Sequence, residues 1–506
     1  MRAISSVLGA VILLAGPSVI PAAAATPDLV AKYDWPQFAL DAAKSANDTM
    51  EATVGLANVG KLKQLFKVSL TDVPDGAPVM LSDVSTPGGV KDLVFLQGEH
   101  SHVTAFDART GAQVWSKNLG GGGISNSSPA IDPNRQYIYV NANDGNVHKL
   151  KVGDGAEVTG NGWPQLAGPG KSSSSLTIAT VDGVSYLYAS NQGHGHITTI
   201  NLNTGTQHVF SLACANRPDI HFGAPGQPND CSVNGPNPWS RGPSFDSSLN
   251  RLFQMGGTNN GTTWVPGKVW RQSWVALPPD GSTAMRDGGG YPVDSYTPSN
   301  WASSVKSDQD IGSGGLLIMP AGISPKVPHL GVQPGKDSKI RLLNLADLSG
   351  KGGAGNLGGE LQVFSFPQMG NMRSQGAVWT NPKDGAAWAF VTGHGGVAGF
   401  QIAVDANGNP SLSLKWTLLN SWTTSAFVAN GVLYAANGGG EHTDTFKTRQ
   451  VQAIDPVTGK VAWTGPIGQH HWSSPIMANG VLYMVDGNSG GFGSGTSGHL
   501  IAWSIP

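Results

Sequence analysis

The sequence predicts an all-β chain folded as an eight-bladed β-propeller of four-stranded antiparallel blades, closed by an N-terminal strand. A repeated phrase is the first evidence: Val103–Trp115, VTAFDARTGAQVW, returns as Val451–Trp463, VQAIDPVTGKVAW. Each copy alternates apolar and polar residues around Asp-x-x-Thr-Gly, which is typical of two strands joined by a tight turn. A second phrase begins at Ser127, Ser425 and Ser473, reading SSPAIDPNRQYIYVNANDG, SAFVANGVLYAANGG and SSPIMANGVLYMVDG. Joined, the two phrases make a unit of roughly 40–50 residues, the period of a propeller blade.

Composition favours the same fold class. The 506 residues include 70 glycines and 33 prolines, and only 13% are charged. Such a composition suits many short strands joined by tight turns better than it suits long helices. The net charge is −2, and the absence of a basic run gives no electrostatic reason to expect nucleic-acid binding.

Eight units can be counted along the chain, and the last one is incomplete. They begin near Ala77, Asn126, Ser174, Gly242, Gly314, Gln375, Thr424 and Trp472. The eighth unit ends after HLIAWSIP without a fourth strand. We expect Leu62–Leu70 to supply that strand, because a closed ring leaves no free sheet edge. Two long insertions, Gln207–Ser240 and Pro278–Ser313, are expected to cover one mouth of the ring.

The N-terminus has the pattern of a secretory signal peptide over residues 1–25. A basic residue precedes an apolar run from Val7 to Ile20, and small residues follow up to Ala25, as at a cleavage site. No later segment is long and apolar enough to span a bilayer. We therefore expect a periplasmic or secreted protein in which residues 26–506 form a single propeller domain.

The two cysteines agree with export. Cys214 and Cys231 lie in a loop rich in Pro, Gly and Asn, and an oxidising compartment favours a bridge between them. Closing a loop of this size would contribute on the order of 3 kcal/mol of stability. Neither cysteine belongs to a Cys-x-x-Cys-His motif, so no covalent haem attachment is predicted.

The repeat resembles that of the pyrroloquinoline-quinone (PQQ) propeller superfamily, which includes quinoprotein alcohol dehydrogenases as well as cofactor-free assembly and binding propellers. The stretch DWPQF from Asp34 is similar to that family's N-terminal strand, and ANVGKLKQLFKVSL from Ala57 is similar to its closing strand. The similarity spans essentially the whole mature chain. It implies the fold, but fold alone does not determine activity.

Short stretches of the chain resemble the cofactor site of the quinoprotein dehydrogenases. They read GTNNGTTW from Gly257, DQDIG from Asp308 and GKDS from Gly335. The matching residues are Asn260 for a calcium ligand, Asp310 for the general base, Lys336 for the cation that touches the quinone, and Trp239 for the aromatic floor. The resemblance implies that Asp310 takes the hydroxyl proton of an alcohol while Lys336 polarises bound PQQ.

The chain departs from this family in ways that keep two alternatives open. The family's vicinal cysteines and the Arg that follows them are absent, and His194 stands where the family has a Glu that ligates calcium. Calcium prefers oxygen ligands, so a histidine is a poor replacement. The first alternative is therefore a non-catalytic binding or scaffold propeller.

Histidines suggest the second alternative, a multi-histidine copper or zinc enzyme. His100 in unit one, His194 in unit three and His394 in unit six occupy the same position before a hairpin strand. Equivalent positions on a ring converge on one mouth, and imidazole suits copper or zinc. The predicted metal is thus calcium, copper or zinc, with Asn260 and these three histidines as candidate ligands.

Taken together, the residues and the resemblance predict an exported oxidoreductase of quinoprotein-dehydrogenase type. Its substrate would be a small or polymeric alcohol or polyol. Because the chain has no haem attachment motif, the electrons would pass to an external acceptor.

Overall fold

Eight sheets of four antiparallel strands follow one another along the chain, which confirms the predicted all-β, eight-bladed propeller. This computed structural model describes residue 1 and residues 31–168, 174–191, 195–217, 241–258, 263–419, 422–440, 448–488 and 497–506. Within these ranges the helical segments are the α-helix Trp301–Lys306 and the 3₁₀ turns Val59–Lys61 and Pro367–Met369. None of the described helices is long and apolar enough to cross a membrane.

Each blade takes its strands in chain order, and we number them first to fourth. Blade 1 comprises Val79–Thr86, Gly89–Gln97, His102–Asp107 and Gln113–Asn118, and blade 2 comprises Ala130–Ile131, Tyr137–Asn141, Asn146–Lys151 and Gln165–Leu166. Blade 3 comprises Thr177–Val181, Val184–Asn191, His196–Asn201 and Gln207–Ser211, and blade 4 comprises Ser244–Asp246, Arg251–Gly256, Ser273–Leu277 and Asp294–Tyr296. Blade 5 comprises Leu317–Ile318, Leu330–Pro334, Lys339–Asn344 and Gln362–Ser365, and blade 6 comprises Ala377–Thr380, Ala387–Gly393, Gly396–Val404 and Pro410–Leu419. Blade 7 comprises Phe427–Ala429, Val432–Asn437, Gln450–Ile454 and Val461–Pro466. Every first strand therefore begins within a few residues of the position that the repeat predicts.

Blade 8 is built from both ends of the described chain, as predicted. Its strands are Ile476–Ala478, Val481–Asp486, Gly498–Ser504 and the N-terminal Lys63–Leu70. The last two pair antiparallel, with one bulge between Gln64 and Phe66. Apolar side chains of the closing strand pack against the buried core, so the outer edge of the last blade is covered.

The two predicted insertions contain more regular structure than expected. Gln207–Ser211 is the fourth strand of blade 3, so the prediction of an insertion starting at Gln207 is wrong. Residues 218–240 lie outside the described residues. The segment Pro278–Ser313 contains a small hairpin, Ala284–Arg286 with Gly289–Tyr291, before the fourth strand of blade 4. The sequence repeat did not predict the fourth strands of blades 3 and 4, because these two strands differ from the repeat consensus.

A further N-terminal feature was not predicted from the sequence. The segment Tyr33–Glu51, which we call the axial strap, hydrogen-bonds to one blade after another. The bonded pairs are Tyr33 with Asn479, Trp35 with Met80, Pro36 with Ile131, Gln37 with Ile178, Ala42 with Phe245, Lys44 with Gln375, Ser45 with Val378 and Ala46 with Val428. Asn47–Asp48 then adds a short parallel strand to blade 7. The strap thereby links the inner edges of seven of the eight blades.

The strap also places charged groups in the interior. The Tyr33 hydroxyl lies 2.7 Å from a carboxylate oxygen of Asp48 and 2.7 Å from one of Glu51. Lys44 is fully buried, and its Nζ has no hydrogen-bond partner in the structure. Burial lowers the pKa of Lys44 to about 7, although the negative charge of Asp41 opposes the shift.

Removing the closing strand is expected to unfold the ring. Deleting residues 1–70 leaves the third strand of blade 8 with unpaired backbone groups and removes the strap, so the variant should aggregate or lose its cooperative thermal transition. Deleting residues 1–31 alone is the matched control, because the strap and closing strand remain. Circular dichroism melting and size-exclusion chromatography would test this; a soluble, cooperatively melting 1–70 deletion would contradict it.

Lys44→Met is expected to stabilise the protein, and more so near neutral pH than at alkaline pH. The folded-state pKa of Lys44, about 7, lies below its ordinary value of 10.5, so between these values the unfolded chain binds the extra proton. Wild-type stability should therefore rise with pH through this window, by up to about 1.4 kcal/mol for each pH unit. Urea unfolding at several pH values would measure the difference, with the exposed Lys61→Met as control. A pH-independent difference would contradict the burial of an uncompensated amine.

Candidate functional site

One end of the ring, here called the mouth, is formed by two kinds of connection. In an antiparallel blade the turn between the second and third strands and the segment entering the first strand lie at the same end. The candidate residues of the sequence analysis fall in these connections. Lys336 lies between the second and third strands of blade 5, and His394 lies between those of blade 6.

Asp310 and Lys336, both predicted from the resemblance, form an ion pair in the mouth. Lys336 Nζ lies 2.9 Å from Asp310 Oδ2 and 2.9 Å from Asp308 Oδ2. The second oxygen of Asp310 accepts the Thr258 backbone N–H at 2.6 Å. The side chains of Asp310 and Lys336 are 3% and 10% exposed, whereas that of Asp308 is 79% exposed. The pair is therefore buried, and Asp308 lies at its rim.

Two cations flank the Asp310 carboxylate. Burial by itself raises the pKa of Asp308, but the hydrogen bond and charge of Lys336 outweigh burial and bring that pKa below its ordinary value. Arg271 donates a hydrogen bond to the Thr258 carbonyl. Burial lowers the pKa of Arg271, and the charge of Asp310 opposes that shift. The geometry provides a fixed carboxylate between a lysine and an arginine.

The loop that carries Asp310 is held by a buried glutamine. Gln272 donates its side-chain amide to the Gln309 carbonyl at 2.8 Å and accepts the Ile311 N–H at 3.1 Å. Asp308 adopts a left-handed backbone conformation, with φ of 52°, directly after the short helix. Such a conformation turns the chain sharply, which lets the carboxylates of Asp308 and Asp310 reach the same ammonium group.

A row of rings crosses the mouth from blade 6 to blade 4. The ring centroids of His394 and Trp422 are 4.1 Å apart, those of Trp422 and His471 5.6 Å, and those of His471 and Trp472 3.9 Å. The Arg241 guanidinium carbon lies 4.6 Å from the Trp472 ring. These contacts form a continuous chain of aromatic rings that ends on a cation.

Asp75 is the buried anion at the end of this row. It lies 2.8 Å from His471 Nδ1, accepts the Trp472 backbone N–H at 2.8 Å, and accepts the side-chain amide of Asn126. Burial raises the pKa of Asp75, but His471, the Trp472 amide and Arg241 together outweigh burial and lower it. Asp75 is therefore ionised and orients the His471 ring.

Positive charge surrounds the row. Burial lowers the pKa of Arg241 to about 10; Asp75 opposes this shift and the charge of Arg373 adds to it. The Arg373 guanidinium carbon lies 5.7 Å from the Trp422 ring. The two guanidinium groups give this part of the mouth a preference for anionic ligands.

His394 belongs to the row of rings and is also close enough to Lys336 to be influenced by its charge. Burial, followed by the charges of Arg373, His471 and Lys336, lowers the pKa of His394 to about 4. Its imidazole is therefore neutral at physiological pH. Its Nε2 is buried, and no residue in the described ranges hydrogen-bonds to it, so a ligand in the mouth could bind there.

Only part of the predicted histidine site lies among the residues that the structure describes. His100 and His394 occupy equivalent turns, as predicted, but the His100 side chain is 52% exposed and its Nδ1 lies 2.9 Å from Asp72. Within the described ranges no three His, Cys, Asp or Glu side chains are close enough to hold a metal ion. Cys214 is buried. The predicted residues that lie outside the described residues are His194, Cys231, Trp239 and Asn260. The metal site, the aromatic floor and the disulfide bridge stay predictions.

Several residues of the mouth were not singled out from the sequence. They are Asp75, Arg241, Arg373 and Trp422. Each stands within a few residues before the first strand of a blade, at a position that the repeat phrases place at one end of the ring. Comparing the residue just before each phrase would have found them.

Lys336→Met is expected to destabilise the protein by about 3–5 kcal/mol, because it leaves the buried Asp310 carboxylate without its cation. Adding Asp310→Asn should recover a large part of this loss, since the buried charge is then removed as well. Urea unfolding of both variants and of the exposed Lys460→Met control would test the pair. Equal stability losses in the single and double variants would contradict it.

Comparison with known proteins supports the fold. A family model described as outer membrane protein assembly factor BamB matches residues 72–216, which contain blades 1 to 3. No curated protein sequence matches the chain.

Solved structures with the same fold cover nearly the whole chain. A quinohemoprotein alcohol dehydrogenase from Comamonas testosteroni is 16% identical, with a TM-score of 0.61 over 93% of this chain and 80% of its own. A second one, from Pseudomonas putida HK5, is 13% identical, with a TM-score of 0.62 and the same coverage. A europium-containing methanol dehydrogenase is 13% identical, with a TM-score of 0.62 over 93% of this chain and 98% of its own. These likenesses show the fold: the chain is a β-propeller like those of the quinoprotein dehydrogenases to which it is similar.

Proposed function

We propose that the protein is an exported oxidoreductase of quinoprotein-dehydrogenase type. It would oxidise an alcohol or polyol with PQQ and pass the electrons to an external acceptor. The observation that carries this proposal is the buried Asp310–Lys336 pair, at 2.9 Å, in the mouth of the propeller. An alcohol oxidation needs a carboxylate that accepts the hydroxyl proton and a cation beside the electron acceptor, and both occur together here.

The residues of the mouth fit a planar, acidic cofactor. Arg241 Nε, Trp422 Nε1 and His394 Nε2 are buried and have no hydrogen-bond partner among the described residues, and such groups normally have one. A quinone that carries carboxylate groups would supply acceptors for the arginine and tryptophan N–H groups. The Trp422 ring lies beside His394 and Arg373, and an aromatic surrounding of this kind suits a planar ring system. PQQ meets this description, and bound PQQ would accept the hydride of the alcohol carbon.

The chain's own residues would hold the substrate and its proton. Asp310 keeps lone pairs on both oxygens beyond the bonds to Thr258 and Lys336, so it can accept the hydroxyl proton. Lys336 donates to Asp308 and Asp310, which leaves one ammonium N–H for an oxygen of the cofactor or substrate. We propose calcium, copper or zinc as the metal, with Asn260 and His194 as the ligands.

A binding or scaffold propeller is the second candidate. It is favoured by the assembly-factor family model that matches residues 72–216. The two candidates differ in what they need from the mouth, since a scaffold requires neither a cofactor nor a buried general base.

Asp310→Asn is expected to lower the turnover rate by about 10²–10⁴-fold, because it keeps the shape of the side chain and removes its basicity. The matched control is Asp308→Asn, which alters the exposed partner of the same lysine and should change the rate much less. The assay uses PQQ-reconstituted protein, an artificial electron acceptor and a panel of alcohols, with bound PQQ followed by its absorbance. If the wild type binds PQQ and reduces the acceptor but Asp310→Asn is equally fast, the base assignment is wrong. If the wild type binds no PQQ and oxidises no alcohol, the scaffold function replaces the proposal.

A further inference from the structure

Alcohol oxidation releases two protons for every two electrons that reach the acceptor, and Asp310 accounts for only one of these protons. We propose that His471, oriented by Asp75, carries the second proton from the mouth to solvent. This inference rests on the proposed function and adds a second acid–base group to it. Asp75 acts through His471 and is a positioning residue.

The geometry determines which nitrogen of His471 can carry a proton. Asp75 has a fully buried side chain and lies 2.8 Å from His471 Nδ1. Because the ionised carboxylate only accepts hydrogen bonds, Nδ1 carries a hydrogen. The Trp472 amide and Asn126 also bond to Asp75, which fixes its orientation. No described residue hydrogen-bonds to Nε2 of His471, so this atom is available as the proton acceptor.

The other imidazoles nearby lack this arrangement. His394 has no carboxylate partner, and its pKa is lowered to about 4. His470 is fully buried, its Nδ1 lies 3.2 Å from the Gly468 carbonyl, and its pKa is also lowered to about 4. Both rings stay neutral at physiological pH, so neither can exchange protons there. A buried carboxylate distinguishes His471 from its two neighbours.

The surroundings of His471 allow it to become charged. A proton on Nε2 creates an imidazolium that pairs with the Asp75 carboxylate and faces the rings of Trp472 and Trp422, both of which stabilise a cation. In each cycle an O–H bond of the reduced electron acceptor would break as one N–H bond forms at Nε2 and the two electrons leave to the external acceptor. The N–H bond then breaks as water takes the proton, so the imidazole ends as it began.

The orientation of the dyad can be tested without cofactor. Long-range ¹⁵N NMR of the protein, with the His471 signals assigned by their loss in His471→Gln, distinguishes the two neutral tautomers. We expect the Nδ1–H tautomer in the wild type and a shift towards the Nε2–H tautomer in Asp75→Ala, because the acceptor that holds Nδ1–H is removed. An Nε2–H tautomer in the wild type would overturn the proposal, since Nε2 could not then accept a proton.

The role in turnover is tested by chemical rescue. In His471→Ala we expect steady-state turnover with PQQ to fall about 10²-fold, and added imidazole to restore much of it. Substrate oxidation in a single turnover should stay close to the wild-type rate, whereas Asp310→Asn slows that step. His471→Gln, which preserves the size of the side chain, should be slow but not rescued, and thermal melting verifies that both variants fold.

Each outcome separates this inference from the proposed function. If the wild type turns over and His471→Ala does so equally fast, the inference is overturned while the proposed function survives. Slow turnover that imidazole fails to restore also overturns it, because the residue is then only structural. His208→Gln, which alters an exposed histidine outside the mouth, is the control, and its turnover should not respond to imidazole. If the wild type binds no PQQ and oxidises no alcohol, the proposed function and this role are both overturned, although the NMR experiment still establishes the tautomer.

Discussion

The pairing of Lys63–Leu70 with Gly498–Ser504 closes the ring, and the positions of the functional side chains depend on it. A propeller blade buries its two faces against its neighbours, so one open blade would expose apolar surface on both sides and a free edge. The closing strand provides the fourth strand of blade 8, and the strap Tyr33–Glu51 ties the inner edges of most blades from within. Residues far apart in sequence, such as Asp75 and His471, can therefore meet at 2.8 Å.

This closure also explains how so much charge can be buried near the axis. A carboxylate or an ammonium group pays a desolvation cost of several kcal/mol unless it is paired and hydrogen-bonded. Asp310 and Asp75 each have a cation or imidazole and a backbone N–H as partners. Rigid blades hold these partners in place without further loss of entropy. Lys44 is the exception, since its buried amine has no hydrogen-bond partner among the described residues and its pKa falls accordingly.

The repeat was sufficient to predict the fold because each blade repeats the same local signals. Alternating strands and Asp-x-x-Thr-Gly turns depend on neighbouring residues alone, and the missing last strand indicated that another segment must close the ring. The strap could not be predicted in this way, since its hydrogen bonds join residues hundreds of positions apart, such as Tyr33 and Asn479. Asp310 and Lys336 were found through the family resemblance. The pairing of Asp75 with His471 could not be predicted, because it exists only once blades 1 and 8 are adjacent.

The charge balance of the mouth bears on the choice between a catalytic and a scaffold propeller. Arg241, Arg271, Arg373 and Lys336 face the same region, while the carboxylates of Asp75 and Asp310 are already engaged in hydrogen bonds. Burying positive charge costs desolvation energy, and a protein that only binds partners at its outer surface gains nothing from it. A site that binds an anionic molecule does gain, since the ligand adds negative charge where positive charge is concentrated. The positive charge of the mouth therefore suits an anionic ligand, as the proposed quinone would be.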